Sequence, residues 1–204
     1  MFFRNPVKLD AGIHTLFVPV RLKGPGIVKC FVKTLKSEKI LLHLDKVLQP
    51  DLVDGNLFSS HISVPMSNSD TDTSYRLESI TIDSHTLPGF KDVKLDPIHE
   101  NFYLRPGQIS TLILKITNKH SQIPQTKCQT DRVTLSARLT FTGSVSKDVQ
   151  IQFRCRSSKQ SFLFTFIDHD GSIQLASAIK PLKPCETEKC PVLLTLHGTG
   201  KDTV

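Results

Sequence analysis

Apolar and polar residues alternate with a period of two along most of the chain, the pattern of half-buried strands. The clearest run puts Val133, Leu135, Ala137, Leu139 and Phe141 on one face, and Thr134, Ser136, Arg138 and Thr140 on the other. After the turn residues Thr142-Gly143-Ser144-Val145-Ser146 the alternation resumes with Val149, Ile151, Phe153 and Cys155 against Gln150, Gln152 and Arg154. Two such runs joined by a Gly/Ser-rich turn predict an antiparallel hairpin with one face in the core and one in water. Further strands are predicted at Thr15–Leu22, Ile27–Lys33, Ile40–Leu44, Leu57–Val64, Tyr75–Ile82 and Ile109–Thr117. Gly24-Pro25-Gly26 and Pro106-Gly107 mark turns between them. Only Lys36–Leu48 lets a helix compete, and no stretch carries a capped 3.6-residue stripe.

Many short strands at this spacing predict a mainly β chain with one or two N-terminal β-sandwich units. The Leu87–Asn101 segment, with Pro88-Gly89 and Asp96-Pro97, is the best internal boundary. It suggests a unit over residues 1–90, and a second unit, or a continuation of the first, over 91–158.

The pattern changes after Arg156-Ser157-Ser158-Lys159-Gln160. Phe162, Phe164 and Phe166 alternate with Leu163, Thr165 and Ile167, so large side chains occupy both faces. Asp168-His169-Asp170-Gly171 turns the chain into Ile173–Ile179. A loop bounded by Pro181 and Pro191 follows, and then the continuous apolar run Val192–Leu196, which reads as a strand covered on both faces.

That run ends in His197-Gly198-Thr199-Gly200. The order of an Asp-Gly hairpin, a proline-bounded loop and a buried strand ending in His-Gly resembles the α/β-hydrolase family; the preceding β domain makes it similar to the prolyl-oligopeptidase-like branch. The resemblance covers about the last 45 residues (159–204) and implies the truncated start of an α/β-hydrolase sheet there. It implies an oxyanion loop at His197, Gly198, Thr199 and Gly200, whose backbone N–H groups would stabilise charge developing on a carbonyl oxygen. It also implies a parent serine hydrolase, peptidase- or esterase-like, with a peptide or ester substrate and no cofactor. The chain departs from the family in one decisive respect: it has no Gly-x-Ser-x-Gly elbow and no downstream Asp and His. The expectation is therefore an N-terminal portion of such a protein with no complete catalytic set. The alternative, from another class, is a non-enzymatic β-sandwich interaction module working through sheet edges or loops.

Composition narrows the remaining classes. Net charge is +7 over 204 residues, but the basic excess is spread along the chain. The one local cluster, Arg154, Arg156 and Lys159, reads as a solvated strand end, so no nucleic-acid partner is expected. Binding of acidic polymers by the basic surface is a third, weaker reading. No stretch approaches the roughly 18 apolar residues of a membrane span, no secretory signal is visible, and no Asn-x-Ser/Thr acceptor occurs, which leaves the compartment open. The eight histidines lack metal-ligand spacing, so no metal is expected. Asp168-His169-Asp170 reads as a turn, and Ser67–Ser74, with Asp70 and Asp72, as a surface loop lacking a complete calcium pattern. Of the five cysteines, Cys30 and Cys155 read as small buried hydrophobes; Cys185 and Cys190 bracket Glu186–Lys189 and either close a small disulfide ring or remain thiols.

Overall fold

The computed structural model describes residues 38–87, 92–118 and 128–181. The predicted strands Thr15–Leu22, Ile27–Lys33 and Val192–Leu196 lie outside them.

The hairpin legible at residues 133–155 forms as β9 (Arg132–Phe141) and β10 (Val145–Arg156), paired antiparallel from Val145↔Phe141 to Arg154↔Arg132. Every second residue of β9, from Val133 to Phe141, is buried, as are Val149, Ile151 and Phe153 of β10. The connection is tighter than the sequence suggests. Gly143 (φ 72°) and Ser144 (φ 57°) both sit in the left-handed region, and β10 starts directly afterwards. Glycine meets that requirement without the steric penalty a side chain brings.

Around this hairpin two sheets assemble. The first orders β1 (Ile40–Leu42), β4 (His61–Asn68), β8 (Ile109–Asn118) and β6 (Val93–Pro97) as β1-β4-β8-β6, all antiparallel. The second orders β2 (Leu52–Val53), β3 (Asn56–Leu57), β5 (Tyr75–His85), β7 (Tyr103–Leu104), β9 and β10 as β3-β2-β10-β9-β5-β7. Among the described strands only the β10–β2 pairing is parallel, with Cys155↔Leu52 and Arg156↔Val53. One apolar cluster joins the two sheets, with Ile62, Val64, Met66, Leu112 and Leu114 from the first and Leu135, Leu139, Phe141, Ile151 and Phe153 from the second. Each side chain of this size contributes roughly 1.5–3 kcal/mol when buried. The chain is therefore mainly β, a two-sheet sandwich, and among the described residues the only helical pieces are two short 3₁₀ turns at Leu44–Lys46 and Thr142–Ser144. The competing helix over Lys36–Leu48 resolves into β1 and the first of these turns.

Both sheets draw strands from either side of residue 90, and these strands share one core. β6 and β7 lie inside the Leu87–Asn101 segment and just after it. In β5 the alternation slips, because Glu78 and Ser79 are both exposed. The pairing shifts there, between Leu77↔Phe141 and Ser79↔Thr140, a bulge that returns Ile80 to the core side.

Asn68 stitches the two sheets together. It is wholly buried, and its Nδ2 donates to the carbonyls of Thr73 (2.7 Å) and Leu104 (3.1 Å). Its Oδ1 accepts from the Asp70 N–H at 2.9 Å. The Ser67–Ser74 loop is thus ordered by hydrogen bonds. Asp70 takes the N–H groups of Asp72 and Thr73 and the Tyr75 hydroxyl. These donors, the Asp72 N–H first and the Tyr75 hydroxyl next, hold the Asp70 carboxyl down at about 2, while burial first, and then Asp70, pushes the Tyr75 hydroxyl up.

Candidate binding face

The remaining strands, β11 (Phe162–Ile167) and β12 (Ile173–Ala178), form a separate two-stranded sheet in register from Phe162↔Ala178 to Ile167↔Ile173. Its turn is the Asp168–Ser172 loop. The Asp168 N–H donates to the Ser172 carbonyl, the Gly171 N–H donates back to Asp168, and Asp170 accepts from the Ser172 N–H. His169 is exposed and touches only Asp168 (Nδ1 to Oδ1, 2.9 Å), which makes this a turn rather than a metal or catalytic cluster.

The hairpin is latched to the sandwich through β11. The Asp51 N–H donates to the Leu163 carbonyl (2.9 Å), and the Leu163 N–H donates to Asp51 Oδ2 (2.8 Å). Two residues on, the Thr165 N–H donates to Ser59 Oγ (2.8 Å), and the Thr165 hydroxyl donates to the His61 carbonyl (2.6 Å). Thr165 is 2% exposed and Asp51 3%, so these polar contacts are shielded from water. His61, at the start of β4, has its imidazole pushed down by burial first and then by the Lys115 charge.

This latch determines which backbone groups are left over. Leu163 and Thr165 turn their main-chain groups to the sandwich, so the alternate residues Phe162, Phe164 and Phe166 bond to β12. On β12 the outward-facing N–H and C=O groups therefore belong to Ile173, Leu175 and Ser177, and among the described residues no strand pairs with that edge. The sheet beside it is greasy. Phe166 (40%), Ile167 (44%), Leu175 (39%) and Ile179 (65%) are all exposed. Phe58 (49% exposed) packs at a tilt on Phe162 (centroids 4.7 Å) and edge-on to Phe164 (5.8 Å), and Phe164 lies 6.2 Å from Phe166.

At the Phe58 end this ledge runs into a cleft of about 580 Å³, lined among others by Asp54, Asn56, Phe58, Ser158, Lys159 and Lys180. The Asp54-Gly55 turn between β2 and β3 shapes one wall, with φ of 50° and 82°. Both Asp54 carboxylate oxygens accept from the Ser158 N–H (3.3 and 3.2 Å), which commits that negative charge to the wall. Lys180 Nζ lies 5.6 Å from the Phe58 ring centroid, and Lys159 forms no ion pair among the described residues. The cleft thus offers two ammonium groups beside an aromatic wall.

The sequence pointed elsewhere. The oxyanion-loop residues His197, Gly198, Thr199 and Gly200, and the cysteines Cys185 and Cys190, lie outside the described residues. Phe58 was hidden because Leu57–Val64 reads as one strand, whereas β3 ends at Leu57 and β4 starts at His61. The signal that would have exposed the cleft is Asp54-Gly55, the two-residue turn favoured in tight hairpins, here linking two strands too short for an alternation to register. Cys155 is no lone buried thiol. It is bonded to Cys128, with Cα atoms 6.2 Å apart. Arg154, assigned to a solvated strand end, has its guanidinium held by Asp51.

No protein-family model and no curated protein matches the chain. A solved structure does: "Copper-bound PCuAC domain from PmoF2", at 14% identity and a TM-score of 0.33, covering 60% of this chain and 97% of that one. A likeness at this level assigns neither a fold family nor a ligand. Among the described residues no three His, Cys, Asp or Glu side chains converge as a metal set. None of these comparisons returns a hydrolase, and the segment from 159 that resembles the start of an α/β-hydrolase sheet is, as far as it is described, a separate two-stranded hairpin latched to an all-β body. The α/β-hydrolase, prolyl-oligopeptidase-like and serine-peptidase expectations are corrected accordingly, as is the peptide or ester substrate they implied. No helix among the described residues is long and apolar enough to cross a membrane.

Proposed function

We propose that the chain is a non-enzymatic β-sandwich binding module that captures an extended peptide along the edge of β12. In this reading residues 38–156 act as one unit and the 162–178 hairpin is its docking arm. One observation carries the proposal: the outer edge of β12, in a sheet that exposes Leu175 and Ile167 on one face and Phe166 on the other, has no partner strand among the described residues. Such an edge is a template for strand addition, in which main-chain hydrogen bonds supply affinity and side-chain pockets supply selectivity. The lysines at the Phe58 end select the occupant. An incoming strand with apolar residues for the ledge and a carboxylate at one end matches Lys159 and Lys180.

The test is fluorescence anisotropy with a labelled ten-residue peptide of alternating valine and threonine ending in two glutamates. Saturable binding is expected, weakened about tenfold or more by Ser177→Pro, which deletes an outward N–H without touching the β11 pairing. The Lys159→Gln/Lys180→Gln pair is expected to weaken binding of this peptide and to leave a glutamine-ended one unaffected. No binding, or binding indifferent to Ser177→Pro, would overturn the reading. A silent wild-type chain that gains binding on Leu193→Glu/Leu196→Glu would overturn it too, by assigning the edge to the chain's own apolar segment.

A further inference from the structure

Cys128 stands just ahead of β9, and Cys155 is the penultimate residue of β10, so the two close the open end of the central hairpin. Their Cα separation of 6.2 Å falls inside the window a disulfide spans. Both are half-buried against the sandwich core. Cys155 is also fixed by its backbone: its N–H donates to the Asp131 carbonyl at 2.8 Å, and it stands opposite Leu52 in the parallel pairing with β2. Its sulfur lies on the core side of the pleat, away from Arg154 and Arg156 on its neighbours, so it has the surroundings of a structural sulfur rather than of an activated thiolate. Two thiols held face to face in this way stay reduced in a glutathione-buffered cytosol and join in an oxidising compartment.

We infer that this chain matures in an oxidising compartment, where the bond between Cys128 and Cys155 becomes a permanent lock on the base of the β9–β10 hairpin. The chemistry is thiol–disulfide exchange with an incoming disulfide, that of a thiol–disulfide oxidoreductase or of glutathione. One cysteine thiolate attacks it and forms a mixed disulfide, and the second thiolate displaces the carrier. The two protein thiols lose two protons and two electrons, and the carrier leaves as two thiols. The lock lies one residue from Arg154, which grips Asp51, whose carboxylate in turn holds the Leu163 N–H. It therefore stiffens the strand that anchors the 162–178 hairpin, independently of what that hairpin binds.

The whole chain should be produced twice, once exported to a bacterial periplasm and once in a reducing cytosol, and each product alkylated in denaturant and mapped by mass spectrometry. The expected result is a cross-linked 128/155 peptide pair in the exported product, lighter by two hydrogens than its reduced form, and alkylated Cys128 and Cys155 in the cytosolic one. Melting should follow the bond. Dithiothreitol should lower the midpoint of the exported protein to that of Cys128→Ser/Cys155→Ser and leave the variant unmoved, and amide exchange at Leu163 should quicken in both. Free thiols at both positions in the exported product, or a melting midpoint indifferent to reduction, would overturn the inference. A cytosolic product with both thiols free but the full stability of the exported protein would overturn it as well.

Discussion

Asp51 and Arg154 meet across 103 residues of sequence, with Nε donating to Oδ1 at 2.9 Å and Nη2 to Oδ2 at 3.3 Å. The Asp51 side chain is 4% exposed and the Arg154 side chain 35%, so the pair is sealed on one side and wet on the other. Because Oδ2 also accepts the Leu163 N–H, one carboxylate ties β10 to the hairpin that follows it. Asp51→Ala strands a guanidinium and an amide together and is expected to cost about 3 kcal/mol in urea denaturation. Asp51→Asn keeps an acceptor and should cost less. Equal losses for the two variants would show that a neutral acceptor does not sustain the tie and that it rests on the carboxylate's charge.

Thr165→Val removes the hydroxyl that donates to His61 and contacts Ser59 Oγ (2.9 Å), and it keeps the shape. The expected loss is roughly 1–2 kcal/mol, felt mainly as local opening. Hydrogen exchange should quicken along 162–178 and remain slow at Leu135 and Ile151. Uniform acceleration across both regions would place the hairpin inside the global unfolding unit instead.

Acid should act through Asp70. Its carboxyl is held at about 2 against an ordinary 3.8, so the folded state favours the ionised form. The resulting stability is complete above the ordinary value and drains away as pH falls from there toward about 2. The gap in denaturation midpoint between the wild-type protein and Asp70→Asn should therefore narrow steadily across that window. A gap unchanged from pH 5 to pH 2 would remove the linkage.

At the β9–β10 turn, Gly143→Ala introduces a Cβ at φ +72° in open space, with no atom within 4 Å. The cost is conformational rather than steric crowding, about 1 kcal/mol, and should appear as a lower melting midpoint. A rise in midpoint would mean the turn relaxes to another geometry.

These residues also show where sequence is informative. The β9–β10 hairpin was readable, apart from the start of β10 at Val145, because one of its faces is uniformly buried and the other wet, which is the condition that makes alternation visible. β2, β3 and β7 have two residues each, too few to alternate, and their existence depends on partners far away in the chain. Phe162–Ile167 misled for a physical reason. Large side chains on both faces suit a strand sandwiched in an α/β sheet, and equally one whose backbone latches to a body while Phe166 and Ile167 stand in solvent. Nothing local distinguishes the two. The Cys128–Cys155 link escaped because pairing depends on strand register, and the cysteine spacing alone does not contain it.

The interleaving of strands has a consequence for synthesis. β4 awaits β8, β5 awaits β9, and β2 awaits β10, so the first sheet cannot close until the ribosome has released the chain through Asn118, nor the second until Arg156. Nearly all the reward for ordering the early strands arrives late, from partners distant in sequence, which predisposes the nascent chain to slow, all-at-once folding. During that wait its apolar strands are available to whatever holding factors the cell provides.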